Sequence, residues 1–463
     1  MTYVGYVLLA DLVVVVACSL LLFRKAHLTA LHPGTIYLAL HIYIVTARLV
    51  AIYLGASLIT ELQGAVRAEE IARAAITFDL ALISATIAWL RLAQRSQVKS
   101  HGLTDIRLSP RITKCIATLC IVIGWFGVQH FGWAAADPSL QGGEWSKSGY
   151  LLVTPSWLLY GCLLLHYQYG FRASLCAATI FVLSIMSFNV ARYVVVLGVL
   201  FFCFTYLYRS SRRWYPRWMV GVLVGLAIVW FPLKIVGSGI RESKTASDIF
   251  SDAVGYYQNA IENQGGGGDT QFLDMTASAM TLVDQHGQFF YGSAWAPLLY
   301  VAIPRVWWPD KPRMNEYMWE ISTVDRPMGQ IGMVPGLVGD CYLNFGYGGV
   351  VLIVYAVAWL YGRAYFRAML SDHNTCRGLN YLMFLVAFIQ VIRDGVISLV
   401  MFTFVAAAPI MVTILANVFA NANSRSNLGA PLGEYSADTA GLFVNVDRGS
   451  PHGRGELDRE RVC

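Results

Sequence analysis

Residues 303–349 read IPRVWWPDKPRMNEYMWEISTVDRPMGQIGMVPGLVGDCYLNFGYGG. They close the only long polar interval of an apolar chain, and they pack arginines, a lysine, carboxylates, tryptophans and prolines between two hydrophobic stretches. A segment so rich in Pro and Gly is costly to order, and such loops carry binding and catalytic residues more often than they merely connect. The rest of the 463 residues is built in the opposite style. Hydrophobic residues make up 56% of the chain and charged residues 13%, against about 25% charged in a soluble domain. With a mean hydropathy of +0.53, this composition reads as an integral membrane protein.

Crossing a bilayer takes about 20 apolar residues. Eleven stretches qualify: 4–23, 35–56, 71–92, 114–135, 149–168, 171–188, 190–208, 218–236, 346–366, 379–396 and 397–417. The basic residues then fall on alternate connections. Arg24 and Lys25 follow the first span. Arg91, Arg95, Lys99, Arg107, Arg111 and Lys114 follow the third, Arg209, Arg212, Arg213 and Arg217 the seventh, and Arg363, Arg367 and Arg377 the ninth. The intervening connections are poor in Lys and Arg. This asymmetry predicts an outer N-terminus and an inner C-terminus. The fold class expected is therefore an all-α polytopic bundle of about 11 transmembrane helices with one large outer loop.

The chain divides accordingly. Residues 1–236 carry eight spans, 237–345 form the outer loop, 346–417 carry three more spans, and 418–463 are a Gly/Ser/Asn/Asp/Arg-rich tail read as disordered and cytoplasmic. The loop holds six basic and twelve acidic residues, a net −6, on a chain of formal net charge +6. That balance fits membrane topology and argues against nucleic-acid binding. Within the loop, Phe272, Met275, Ala279, Leu282 and Val283 recur at helical spacing, which predicts one amphipathic helix over 270–290. Trp295, Trp307 and Trp308 are interface-type residues that place the loop against the membrane surface. The nine cysteines show no metal-ligand spacing, and most lie in apolar spans where Cys acts as a small hydrophobe. No phosphate-binding loop, nucleophile elbow or zinc-protease motif is present. Any chemistry must use a substrate that arrives already activated in the membrane.

Ionisable residues at the spans are the natural functional candidates. Arg192 sits at the outer turn between spans six and seven, and Arg393 with Asp394 at the turn between the last two. Taken singly, Arg192 is better explained as a helix-end anchor, and Arg393 equally well by its pairing with Asp394. Their convergence with Arg241, Arg305, Lys311 and Arg313 of the loop, all on the outer face, points to a site for a diphosphate or acidic sugar, because guanidinium groups fork onto phosphate oxygens. Asp340, where the loop re-enters the membrane, must be partnered or functional. His286 and Asp310 are further candidates for proton transfer. For His286 a surface position, and for Asp310 an ion pair with Lys311 or Arg313, are the plainer accounts.

Two strings carry a family resemblance. Ile303-Pro304-Arg305 through Trp308-Pro309-Asp310-Lys311-Pro312, and Gly336-Leu337-Val338-Gly339-Asp340 through Tyr342-Leu343-Asn344-Phe345-Gly346-Tyr347-Gly348-Gly349, resemble the loop motifs of the Wzy-type oligosaccharide repeat-unit polymerases. Arg192, and Arg393 with Gly395, resemble arginines of that family, whose members are similar to the C-type membrane glycosyltransferases. The resemblance implies an enzyme of the bacterial inner membrane, working on its periplasmic face without metal, nucleotide or other cofactor. It implies transfer of a growing glycan from an undecaprenyl-diphosphate carrier to the next lipid-linked repeat unit, making O-antigen, capsule or exopolysaccharide. It also implies a flippase and a chain-length regulator as partners. Arg192, Arg305 and Arg393, with Arg241 in reserve, would hold the diphosphate. Asp340, His286 or Asp310 would take the acceptor proton, and Trp307 and Trp308 would stack on sugars or sit in the interface. An O-antigen ligase, or a flippase for lipid-linked oligosaccharide, remains an alternative.

Overall fold

In the computed structural model of the chain, the residues described are 2–26, 28–55, 67–96, 106–135, 145–170, 192–225, 245, 247–248, 250–252, 254–255, 272–300, 307–308, 310, 335–370, 375–396, 399–400 and 409–420. The chain divides into two units, Met1–Val418 and Phe419–Cys463. Of the second only Phe419 and Ala420 are described, so the tail expected to be disordered lies outside the described residues. The described part is almost entirely helical, with one isolated bridge between Arg107 and Thr375.

The long helices are α1 (Thr2–Lys25), α2 (Pro33–Tyr53), α3 (Ala68–Ser96), α4 (Pro110–Ala135), α5 (Trp145–Tyr169), α6 (Arg192–Arg209), α7 (Phe272–His286), α8 (Gly336–Met369), α9 (Cys376–Asp394) and α10 (Pro409–Ala420). Among the described residues, five helices are long and apolar enough to cross a membrane, namely α1, α2, α3, α8 and α9. The span expected over 171–188 lies outside the described residues.

Helix α1 shows why these segments suit lipid. Val4, Val7, Asp11, Val15, Cys18 and Leu22 recur at helical spacing and are buried, while Leu9, Val13, Val16 and Leu20 are exposed. Before its basic last turn, the exposed face is apolar and the buried face holds the one charge, Asp11, the reverse of a water-soluble helix. Helix packing uses small residues, as lipid-immersed bundles do. A Cβ on Gly124 of α4 would lie 2.4 Å from the Leu158 nitrogen of α5, and one on Gly161 of α5 would lie 2.7 Å from the Ala117 carbonyl oxygen of α4. Helices α3 and α8 are joined where Trp89 Nε1 donates to the Ala358 carbonyl at 2.8 Å and Ser84 Oγ to that of Val351 at 2.6 Å.

The connections after α1, α3, α6 and α8 touch one another at one end of the bundle. Ala30 N donates to the Arg213 carbonyl at 2.9 Å, Cys376 N to that of Ile106 at 3.0 Å, and Thr29 Oγ1 lies 3.1 Å from Tyr365 Oη. These are the connections that carry the basic residues.

Two boundaries differ from the sequence reading. Helix α8 begins at Gly336, ten residues before the expected span, and runs to a break at Gly346, where φ is +64° and ψ −156°. Only glycine takes that backbone readily. The break still obeys the hydrogen-bond accounting of a buried helix end. The Leu343 and Asn344 carbonyls accept the N–H groups of Phe290 and Tyr291, both at 3.0 Å. Helix α9 ends at Gly395, with φ +84°, and helix resumes at Val396.

Candidate functional site

The end of the bundle opposite those basic connections is built around α7. Its predicted apolar positions Phe272, Met275, Ala279, Leu282 and Val283 are all buried, with Thr276 among them, but so are Asp274 and Ser278 away from that face. The helix is enclosed by its neighbours up to its last turn, which is exposed. The reason is charge. Arg48 of α2 donates from Nε to Asp274 Oδ1 at 3.0 Å and from its second terminal nitrogen to Oδ2 at 2.6 Å. Both side chains are buried, at 3% and 0% exposure. A two-pronged guanidinium–carboxylate pair is the arrangement that makes such burial tolerable.

Asp340 of α8 lies close by, 3% exposed. Its Oδ1 accepts from Trp295 Nε1 at 2.9 Å, and its Oδ2 accepts the Val396 backbone N–H at 3.0 Å. One carboxylate thus ties the segment after α7 and the break after α9 to the start of α8. The Gly395 Cα faces it so closely that a Cβ would sit 2.6 Å from Asp340 Oδ2. One turn on, Asn344 repeats the device. Its Nδ2 donates to the Asp340 carbonyl at 2.8 Å, and its Oδ1 accepts from Gly292 N at 2.9 Å.

Arg393 belongs to the same joint. A Cβ on Gly336 would lie 3.4 Å from the Arg393 carbonyl oxygen. The Arg393 guanidinium stands over the Phe272 ring, 5.8 Å from its centre, and 3.6 Å from Asp394 Oδ1. It is 28% exposed. The predicted residues Asp340 and Arg393, more than fifty residues apart, are therefore brought to one place. Asp394 also accepts from Gln390 of the preceding turn.

A second, more open cluster adjoins it. Arg73, at the start of α3, donates to Asp284 Oδ2 at 2.5 Å and to Tyr342 Oη at 3.2 Å. Arg73 and Asp284 are 38% and 50% exposed. Tyr342 packs edge-on against Tyr347 and Phe289. His286 is exposed at the end of α7, its ring edge-on to Phe290 with centres 6.2 Å apart.

Of the other candidates, Asp310 and Trp307 are exposed, and Trp308 packs against Tyr300 with ring centres 5.3 Å apart. Arg192 opens α6, with its side chain outside the described residues. Arg241, Arg305, Lys311 and Arg313 lie outside the described residues altogether.

The sequence reading passed over several charges in the spans and the loop helix. Arg48 with Asp274, and Arg73 with Asp284, were visible as ionisable residues in or beside apolar stretches, the signal that marks functional or paired positions in membrane helices. A third group, Asp11, His41 and Asp79, meets inside the bundle between α1, α2 and α3. Comparison with protein-family models, curated proteins and solved structures finds no match for this chain.

Proposed function

We propose that the chain is a membrane glycosyltransferase that polymerises undecaprenyl-diphosphate-linked oligosaccharide repeat units. The observation that carries this reading is the joint at the start of α8, where the Asp340 carboxylate packs against Gly395 and Val396, just after Arg393 in the chain. Asp340 stands in the second string that resembles the polymerases, and Arg393 with Gly395 resembles a late arginine of that family. Asp340 contacts Trp295, while Arg393 stands over Phe272 of α7. In this reading the chain is a bundle of about 11 spans in a bacterial inner membrane, with the loop and the joint on the periplasmic face. The clustering of the basic connections at the opposite end of the bundle supports that orientation.

Two chemical tasks need residues. Charge develops on the departing lipid diphosphate, and Arg393, Arg192 and Arg305, with Arg241 in reserve, would stabilise it. The acceptor hydroxyl loses a proton. Both Asp340 oxygens already accept hydrogen bonds in a buried site, so Asp340 would position the joint. His286 is exposed at the end of α7 and would serve as the base. The partners would be the lipid-linked glycan, membrane lipid, a flippase and a chain-length regulator, with no cofactor.

The test is the surface glycan ladder of cells deleted for the gene and complemented with wild type, Arg393→Ala or His286→Ala, with protein levels checked by blot. A core carrying a single repeat unit in the deletion, unrestored by expressed variants, is the expected result. Loss of every repeat unit from the core would point to a ligase or flippase instead. Full ladders from both variants would remove Arg393 and His286 from the site.

A further inference from the structure

We propose that Asp11, His41 and Asp79 bind one divalent transition-metal cation inside the helix bundle. Each of α1, α2 and α3 supplies one donor. His41 Nε2 lies 2.8 Å from Asp11 Oδ1 and 3.4 Å from Asp79 Oδ1. All three donor atoms fall within 4.8 Å of one another. Metal–ligand distances of ~2.0–2.2 Å set neighbouring donors about 3.0–3.4 Å apart, close to the two separations that His41 makes with Asp11 and Asp79.

Burial and valence point the same way. Asp11, His41 and Asp79 are 0%, 2% and 7% exposed. At 1.5 Å per residue, Asp11 and Asp79 lie about 14 and 17 Å from the starts of α1 and α3, near the middle of a hydrocarbon layer. Two carboxylates at that depth carry two negative charges, of which one imidazole can cancel at most one. Asp79 Oδ1 aims at His41 yet accepts no hydrogen bond. A bare carboxylate oxygen in such a place is costly, and a divalent cation both partners it and cancels the two negative charges.

The second layer around Asp11 is already built. Thr46 Oγ1 donates to Asp11 Oδ2 at 2.7 Å, which fixes that carboxylate and leaves Oδ1 toward His41. Outer contacts of this kind orient metal ligands. His41 and Thr46 are five residues apart, a spacing that points in different directions on an α-helix. Residues Ile42–Thr46 form a π turn, whose wider winding brings both side chains to Asp11. Such turns in helices recur at functional sites. One imidazole and two carboxylates suit a first-row divalent ion such as Zn²⁺. Bound there, the ion would clamp α1, α2 and α3 together. A proton shared among the three groups is the competing account.

The experiment uses the full chain in detergent with a histidine-free tag, stripped with chelator, then dialysed to equilibrium with Zn²⁺ and measured by elemental analysis. Wild type is expected to hold about one Zn²⁺ per chain, and Asp79→Asn and His41→Gln to fall at least about tenfold. The exposed-histidine variant His286→Ala should keep the ion. Zn²⁺ should also raise the melting temperature of wild type and not of Asp79→Asn. If the variants do not fold, wild type alone decides. Wild type holding under about a tenth of an equivalent, or binding no more than a folded Asp79→Asn, would overturn the site in favour of the shared proton.

Discussion

Arg48 and Asp274, 226 residues apart, form a bidentate ion pair sealed inside the bundle, with contacts of 3.0 and 2.6 Å. The pair fixes where the helix of the long loop sits. Without it, α7 would have to bury Asp274 alone or leave the bundle. The ion pair therefore links an element next to the candidate site with a membrane-spanning helix.

The expected consequence is asymmetric. Arg48→Ala or Asp274→Ala leaves one buried charge unpaired and should destabilise the protein by about 3–5 kcal/mol. Replacing both partners with apolar residues of similar bulk, Arg48→Met with Asp274→Leu, should recover most of that loss. Thermal unfolding in detergent of wild type, the single variants and the double variant measures both effects. Single variants as stable as wild type would show that the pair does not hold α7.

Asp340 separates two roles that a sequence cannot. As the joint's anchor it is needed for its two acceptor contacts, to Trp295 and Val396. Asp340→Asn keeps the shape but turns an amide N–H₂ toward one of those donors, which leaves a buried mismatch worth about 1–3 kcal/mol. Trp295→Phe removes the other side of one contact while leaving the carboxylate in place. If Asp340 positions the joint, both variants lower the melting temperature, and both lower glycan polymerisation in cells. If it is the base, Trp295→Phe retains polymerisation and Asp340→Asn abolishes it at normal stability.

What could be read in the sequence follows from which interactions are local. The spacing of Phe272, Met275, Ala279, Leu282 and Val283 marks a helix because the period is a property of one segment. It says only that one face is apolar. That the other face is also covered depends on Arg48, which sits in a distant span, and no local pattern records that partnership. The same holds for Asp11, His41 and Asp79. Each is visible as a lone polar residue in an apolar run, while their meeting is a fact of helix packing. Asp340 and Arg393 were legible because each stands at a span boundary, where a charge must be explained. The start of α8 was misplaced for a related reason. The run Asn344-Phe345-Gly346-Tyr347-Gly348-Gly349 reads as a loop running into a span, yet its break is stitched by N–H groups donated from 290–292, so helix persists on both sides.

That stitched break gives the last prediction. Gly346 holds φ +64° and ψ −156°, and a Cβ there would lie 2.7 Å from the Phe289 ring. Gly346→Ala meets two separate penalties, a backbone conformation closed to L-residues and a collision with an aromatic side chain. The backbone part is about 1–3 kcal/mol. Phe289→Ala opens the space without changing the backbone. The double variant Gly346→Ala with Phe289→Ala should therefore be more stable than the loss expected from adding the two single variants, yet still below Phe289→Ala alone. Melting temperatures of the three variants and wild type measure both parts. A double variant equal to Phe289→Ala would mean that the break carries no backbone strain, and that α8 could run through Gly346 as a regular helix.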